Sequence, residues 1–347
     1  MIKAEIVADS VNTIGERITT MLVTFPRIIL AELNTHRAFS RNSASSRAIP
    51  FEKMVKAVEE NPFIPIAWQK DHKGMQGFEY FTKKVNVETT DLGDLKLAWL
   101  EARDYAIKQS TWLNKVGVTK QLCNRLLEPF MWHTVLITAT DFSNFFELRC
   151  PKYERPYIYG NRGDVKEAVF LVCSQKDWYE IAGADKNGIM LETGKSISKT
   201  YLEFQAINKG QSEIHMMALA EAMWDAYNES EPKLLQDGEW HIPFEGDLDD
   251  TLVDDLMIER SNGKDRYREF LLTKIKIATA RCARTSYTVV GEEGKEYSYE
   301  ADIKLHDKLL ADKHQSPLEH LAQAMPGIIS RNFKGFKQYR EIVENKD

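Results

Sequence analysis

Thr35 to Ala48, T-H-R-A-F-S-R-N-S-A-S-S-R-A, gathers His36, Arg37, Ser40, Arg41, Asn42, Ser43, Ser45, Ser46 and Arg47 into one segment with almost no apolar content. A core element does not readily bury that many donors, and a surface loop seldom needs them. Arginine forks match phosphate oxygens, while hydroxyls and amides fill the remaining acceptors. The composition therefore predicts a site for a phosphate-bearing ligand. The preceding run Ile28-Ile29-Leu30-Ala31 reads as a strand, so the polar cluster is expected where a buried strand emerges. The competing reading of the same residues is a solvated strand-to-loop segment.

The rest of the chain narrows the ligand. The 347 residues are enough for one large domain or two ordinary ones, and 43 % hydrophobic content supports a full core. A net charge of −6 argues against a general nucleic-acid binder, which needs a surplus of Lys and Arg. A local basic pocket in an acidic chain points instead to a small anionic ligand. Cys123, Cys150, Cys173 and Cys282 are scattered without a CxxC, so neither a zinc site nor a disulfide framework is indicated. His314 and His320 have no second pair to complete a metal site, and none is expected. Met1 to Glu5 lacks a signal-peptide pattern, and no run reaches the roughly eighteen apolar residues of a membrane span. A soluble, cytoplasmic protein is expected.

Along the chain, Arg17 to Phe25 reads as extended, ending at Pro26. Residues 60–93 read as irregular. From Asp94, as cap, Leu95, Ala98, Trp99, Ala102, Tyr105 and Ala106 recur at helical spacing, and Gly117 stops the helix. A second helix is expected from Thr119 to about Leu127, bending at Pro129. Thr140 or Asp141 should cap a short helix running through Phe145 to Arg149. An arginine closing such an aromatic helix is costly unless it meets a ligand, a carboxylate or water. Residues 150–209 change in kind, with tyrosines, glycines and one strand at Ala168 to Val172. Helix returns from Gln211 to Tyr227, and a Pro- and Asp-rich connector follows. No serine-hydrolase elbow, G-x-G-x-x-G or Walker segment appears.

The opening segment resembles the signature of flavin-dependent thymidylate synthases, R-H-R-x-x-S-x-N-E-x-S-x-R-Y. His36, Arg37, Ser40, Asn42, Ser45 and Arg47 match in identity and spacing, whereas Thr35, Ser43 and Ala48 stand where that family has Arg, Glu and Tyr. Arg125 ahead of Pro129, Asn144-Phe145-Phe146-Glu147-Leu148-Arg149 and Gln211-Ser212-Glu213-Ile214 are similar to later family motifs. Thr138 and Thr140 replace a family Asn and Arg. Cys282 to Tyr287 and His314-Gln315-Ser316-Pro317-Leu318-Glu319-His320 resemble blocks that lie near the family's N-terminus, yet here they come near the C-terminus.

The resemblance implies an α+β fold, a flavin-dependent thymidylate synthase-like sheet flanked by helices, circularly permuted. It implies one catalytic domain over 1–347 with an insertion at 150–209. A connector at 231–265 would lead to the permuted block 270–347. The two chain ends should then share one sheet, with Ser316 facing the same ligand as His36. The implied activity is methylation of dUMP to dTMP with methylenetetrahydrofolate, FAD and NADPH. Arg149 would be catalytic, holding the O2/N3 edge of the pyrimidine. Arg125, Ser45, Ser46 and Arg47 would grip the 5′-phosphate, and Glu32 would sit near the sugar or base. His36, Arg37, Asn42, Asn144 and Ser316 would contact FAD. The family works as a homotetramer with shared active sites. The alternatives are a same-fold enzyme modifying another pyrimidine deoxynucleotide, for example by hydroxymethylation, and an inactive flavin- or nucleotide-binding protein.

Overall fold

The computed structural model describes residues 1–73, 77, 79–81, 92–156, 171–258, 265–287 and 297–345. The chain opens with a strand the sequence did not advertise, β1 (Lys3–Val11). It pairs antiparallel with β2 (Arg17–Pro26), which is the expected extended run. The run Ile28 to Ala31 is not a strand. Arg27–Ile29 is a 3-10 turn and Leu30–Leu33 is α1. Ile29 and Leu33 are buried while Ile28 is 44 % exposed, the one-sided i, i+4 burial of a helix rather than the alternation of a strand. The strand lies inside the polar segment instead, as β3 (Ser40–Ser43). His36, Ser40, Asn42 and Ser46 are buried. A segment rich in donors goes inside here because neighbouring groups satisfy them, as buried polar atoms require.

α2 (Phe51–Glu60) follows, and the described residues between it and the next helix are irregular, as expected. α3 (Leu92–Lys115) begins two residues before Asp94 and ends ahead of Gly117, whose φ of 92° is the left-handed stop. Thr119 caps α4 (Lys120–Cys123), and a 3-10 turn over Asn124–Phe130 absorbs Pro129. β4 (Trp132–Ala139) leads to α5 (Ser143–Arg149), where Asp141 Oδ1 accepts from the Ser143 backbone N–H at 3.0 Å. The 150–209 region holds β5 (Tyr153–Glu154), β6 (Leu171–Val172), α6 (Gln175–Ile181) and α7 (Tyr201–Ala206). Tyr153, Trp178, Tyr179 and Phe204 give it a small core of its own. Residues 168–170 of the expected strand lie outside the described residues.

α8 (Ile214–Glu229) is the expected long helix. The connector is more ordered than its composition suggested, supplying β7 (Lys233–Leu234), β8 (Trp240–His241) and α9 (Asp250–Ile258); its residues 259–264 lie outside the description. The C-terminal block holds α10 (Arg266–Arg284), α11 (Tyr299–Ala311), a 3-10 turn over Ser316–His320, β9 (Ala322–Ser330), β10 (Phe333–Gln338) and α12 (Tyr339–Glu344).

The fold is α+β. One sheet has the order β3-β4-β2-β1-β7 and a second the order β10-β9-β8. Side chains alternate across β4. Val135 and Ile137 pack with Met216, Leu219 and Met223 of α8, whereas Leu136 packs with Ile275, Ala278 and Cys282 of α10. Helices therefore cover both faces of the larger sheet. The two chain ends do not share a sheet, contrary to expectation. Both edges of β2 are already taken by β1 and β4, so the segment after His320 folds on itself as β9 and β10. It meets β2 by packing instead, through Ile18, Ala322, Ala324, Phe333 and Phe336. A buried polar line ties the two together: Ser10 Oγ lies 2.9 Å from His241 Nδ1, His241 Nε2 lies 2.8 Å from Thr20 Oγ1, Thr20 lies 2.7 Å from Thr138 Oγ1, and Thr138 lies 2.8 Å from His320 Nδ1.

Candidate functional site

α5 ends at Arg149, and the turn after α1 brings His36 to it. Arg149 Nε donates to His36 Nε2 at 3.1 Å and Nη1 to Ser212 Oγ at 3.4 Å, with Glu32 Oε2 at 3.9 Å from Nη1. Burial, then the Arg149 and Arg41 charges, lower His36 to about 4. A neutral imidazole that accepts at Nε2 carries its proton on Nδ1. Burial and the nearby Glu213 carboxylate raise Glu32 above its ordinary value, with Arg149 opposing. Glu213 caps α8 and also accepts from His215 Nδ1 at 2.6 Å. Among the described residues Arg149 Nη2 donates to no protein acceptor, so one face of the fork remains for a ligand.

A second group is a seam between the two ends of the chain. Asn42 Nδ2 donates to Cys282 O at 2.6 Å and lies within reach of Thr285 and Ser286. Asn42 Oδ1 accepts from Ser316 Oγ at 3.2 Å, and the Ser45 N–H donates to Ser286 O at 3.0 Å. Asn42, expected on FAD, is buried in this seam, and Ser316, also expected there, is exposed and bonded to it.

A third group sits where β2 leaves the sheet. Ser46 Oγ donates to Glu128 Oε1 at 2.9 Å, and Arg27 reaches both Glu128 at 3.4 Å and His133 Nε2 at 2.9 Å. Burial and then Arg27 hold His133 at about 3. Burial lowers the Arg27 guanidinium; Glu128 opposes this and the nearby Arg125 charge adds to it. A cavity of about 30 Å³ opens here, lined by Ser46, Arg27 and His133 on one side and Ile49, Met54 and Val58 on another. The Ser46 hydroxyl is therefore directed at a carboxylate, not held out for phosphate.

Arg37, Arg47, Arg125 and Asn144 are exposed, and none has a side-chain partner among the described residues. Sequence reasoning missed Arg27 and His133, and gave Ser212 no role beyond its place in the third motif. Arg27 beside Pro26 and His133 in an apolar strand carry no local signal, since their meaning arises only when β2 and β4 pair Phe25 with His133. Thr138 and Thr140 are structural: Thr138 is buried in the polar line to His320, and Thr140 Oγ1 accepts from the Lys334 N–H at 3.0 Å. Among the described residues no three His, Cys, Asp or Glu side chains are placed to hold a metal, and no helix is long and apolar enough to cross a membrane.

No protein-family profile matches the chain, and no curated protein does. Among solved structures it is similar to a UMP/dUMP methylase, PolB, from Streptomyces cacaoi. The form bound with 5-Br dUMP gives a TM-score of 0.32 at 15 % identity, covering 46 % of this chain and 82 % of that one. The form bound with 5-Br UMP gives 0.34 at 17 %, covering 46 % and 80 %.

Proposed function

We propose that the chain is a flavin-dependent enzyme that methylates dUMP to dTMP, taking the carbon from methylenetetrahydrofolate. The observation that carries this reading is the Arg149 cluster. His36 of the first segment, Arg149 of the second and Ser212 of the third are separated by 113 and 63 residues, yet they share one hydrogen-bonded set. The Asn42–Ser316 bond, spanning 274 residues, likewise joins the first segment to the last and supports a circular permutation.

The residues present fit FAD in part. Exposed Arg37 and Asn144 offer a cation and an amide with no side-chain partner among the described residues, and exposed Ser316 keeps its Oγ as an acceptor, so these three and His36 form the proposed cofactor set, while Asn42 is taken up inside the seam. FAD held there and reduced by NADPH would supply the hydride that turns a methylene into a methyl group. The chain's own residues do the rest. Arg149 directs its remaining N–H groups at the O2/N3 edge of the pyrimidine and stabilises negative charge as it develops. Neutral His36 and Ser212 fix the guanidinium plane by accepting from it. Arg47 and Arg125 take the 5′-phosphate by charge-assisted bonds, with Ser45 beside them.

A homotetramer with shared sites belongs to the same proposal. The outer face of α3 supports it, since Leu97, Tyr105 and Trp112 lie on one side of the helix and are 54–63 % exposed. Incubating the protein with dUMP, methylenetetrahydrofolate, FAD and NADPH and weighing the nucleotide tests the activity. A product heavier by one CH₂ is expected; a hydroxymethyl product, or unchanged dUMP, overturns it.

A further inference from the structure

The four cysteines are not alike. Cys123 is buried among residues of α2 and α3, where its Sγ donates to Val118 O at 3.4 Å, and Cys282 of α10 is buried against Leu136. Cys150 and Cys173 instead share one core. Cys150 is 1 % exposed within it, and the half-buried Cys173 packs against it. The two stand at the mouths of residues 151–172, and the pairing of β5 with β6 folds one mouth back on the other. Tyr153 sits opposite Val172, so the residue after Val172 returns to the residues before Tyr153. The Cys150 thiol has two acceptors in reach, Ala220 O at 3.6 Å and the Cys173 sulfur.

Their surroundings differ in a useful way. Cys173 borders an open recess of about 560 Å³, lined also by Asp177, Glu180 and Trp224, whereas Cys150 is shut away from solvent. The hydrogen bond from Cys150, aided by the Lys152 charge, holds the Cys173 thiol below its ordinary value against burial and Asp177. Cys150 is raised, first by its bond to Cys173 and then by burial. An accessible thiol that ionises more readily is the nucleophile of such a pair. The buried thiol beside it is placed to resolve whatever the first one captures.

We propose that Cys150 and Cys173 are a reversible redox pair, joined by an intrachain disulfide when Cys173 attacks a small disulfide in the recess. The Cys173 thiolate attacks one sulfur of RS–SR, forming a mixed disulfide and expelling RS⁻. Cys150 gives up its proton and attacks the Cys173 sulfur, forming the intrachain bond and expelling the second RS⁻. The two expelled thiolates take up the two protons lost by the cysteines. The protein pair is thereby oxidised, and the small disulfide is reduced to two thiols. Asp177 and Glu180 at the recess disfavour an anionic reagent, so a neutral or cationic disulfide is the one that enters. Arg149 directly precedes Cys150, so the bond fastens the mouth of the insertion beside the Arg149 cluster.

The test incubates the folded full chain with hydroxyethyl disulfide and then removes the reagent. Free thiols are alkylated with N-ethylmaleimide in denaturant, and peptides are mapped without reduction. Wild type should lose two hydrogens and show one cross-link joining Cys150 to Cys173. Cys123 and Cys282 should be alkylated, and dithiothreitol should restore all four thiols. Cys150→Ala should stop at the mixed disulfide on Cys173, and Cys173→Ala should leave Cys150 unmodified. Should either variant fail to fold, the wild-type map still decides. Four free thiols in wild type, a mixed disulfide that persists on Cys173, or a cross-link to Cys123 or Cys282 overturns the pair. Modification of Cys150 in folded Cys173→Ala overturns it as well.

Discussion

Arg149 shows what a single residue can disclose in advance. An arginine ending an aromatic helix needs a polar destination, and that much is legible from seven residues. Which groups receive it is not, because His36 and Ser212 come to it from distant segments. If Arg149 stabilises charge on the pyrimidine, Arg149→Lys should lower turnover by about 30- to 1000-fold, the loss of about two to four kcal/mol of barrier stabilisation. Steady-state kinetics with separate measurement of FAD affinity checks this; unchanged turnover reduces Arg149 to a cation at a helix end. Asn42 was the opposite case. Its match to a ligand-binding signature pointed outward, whereas burial and four neighbours turn it inward. Asn42→Ala should cost about 1–3 kcal/mol of stability by removing the buried amide that donates to Cys282 O and accepts from Ser316 Oγ. Denaturant unfolding of the variant reads it, and a loss below about 0.5 kcal/mol would remove Asn42 from the seam.

At the scale of elements, periodic segments were readable and short apolar ones were not. The helix ending before Gly117, the helix start at Thr119 and β2 follow from spacing and β-branched content. The run from Ile28 to Leu33 is too short for its period to show, and Arg27's partnership with Glu128 and His133 drew it into a turn. β7 and β8 each span two residues and exist only because a neighbouring strand offers an edge. The exposed arginines flanking these elements test the phosphate assignment. Arg47→Ala and Arg125→Ala should each weaken dUMP binding about tenfold, as expected for a charge-assisted contact. Neither should shift stability by more than about 0.5 kcal/mol, since both side chains are exposed. Titration with dUMP and with deoxyuridine separates the effects: the nucleoside should bind poorly to wild type and be indifferent to both substitutions, and equal wild-type binding of the two contradicts the assignment.

For the whole molecule, the buried polar line between the two sheets sets a pH dependence. Burial holds His241 and His320 at about 3, against an ordinary value of 6.5. Below 6.5 the unfolded chain binds protons that the folded chain refuses, so this stability is complete above 6.5 and is lost as pH falls toward 3. Each should cost roughly 1–2 kcal/mol by pH 5. Glu221 acts the other way: burial raises it to about 8, so its contribution is present below the ordinary carboxylate value and is lost as pH rises through 8. The limbs overlap between 4.5 and 6.5, where the two histidines outweigh the one carboxylate, so melting temperature should peak near 6.5 and Glu221→Gln should flatten the decline above it. A melting temperature that keeps rising down to pH 4 would contradict the account of the histidines. The union of first and last segments was legible in the sequence as two displaced motifs, but their meeting by packing rather than by sheet pairing was not, because strand edges are a property of the assembled fold. The central claim is that these segments converge on a flavin. Titrating FAD with the purified chain and following flavin fluorescence tests it most directly. Quenching that saturates at micromolar protein, weakened by Arg37→Ala, is the predicted result; fluorescence unchanged by the protein would contradict the claim.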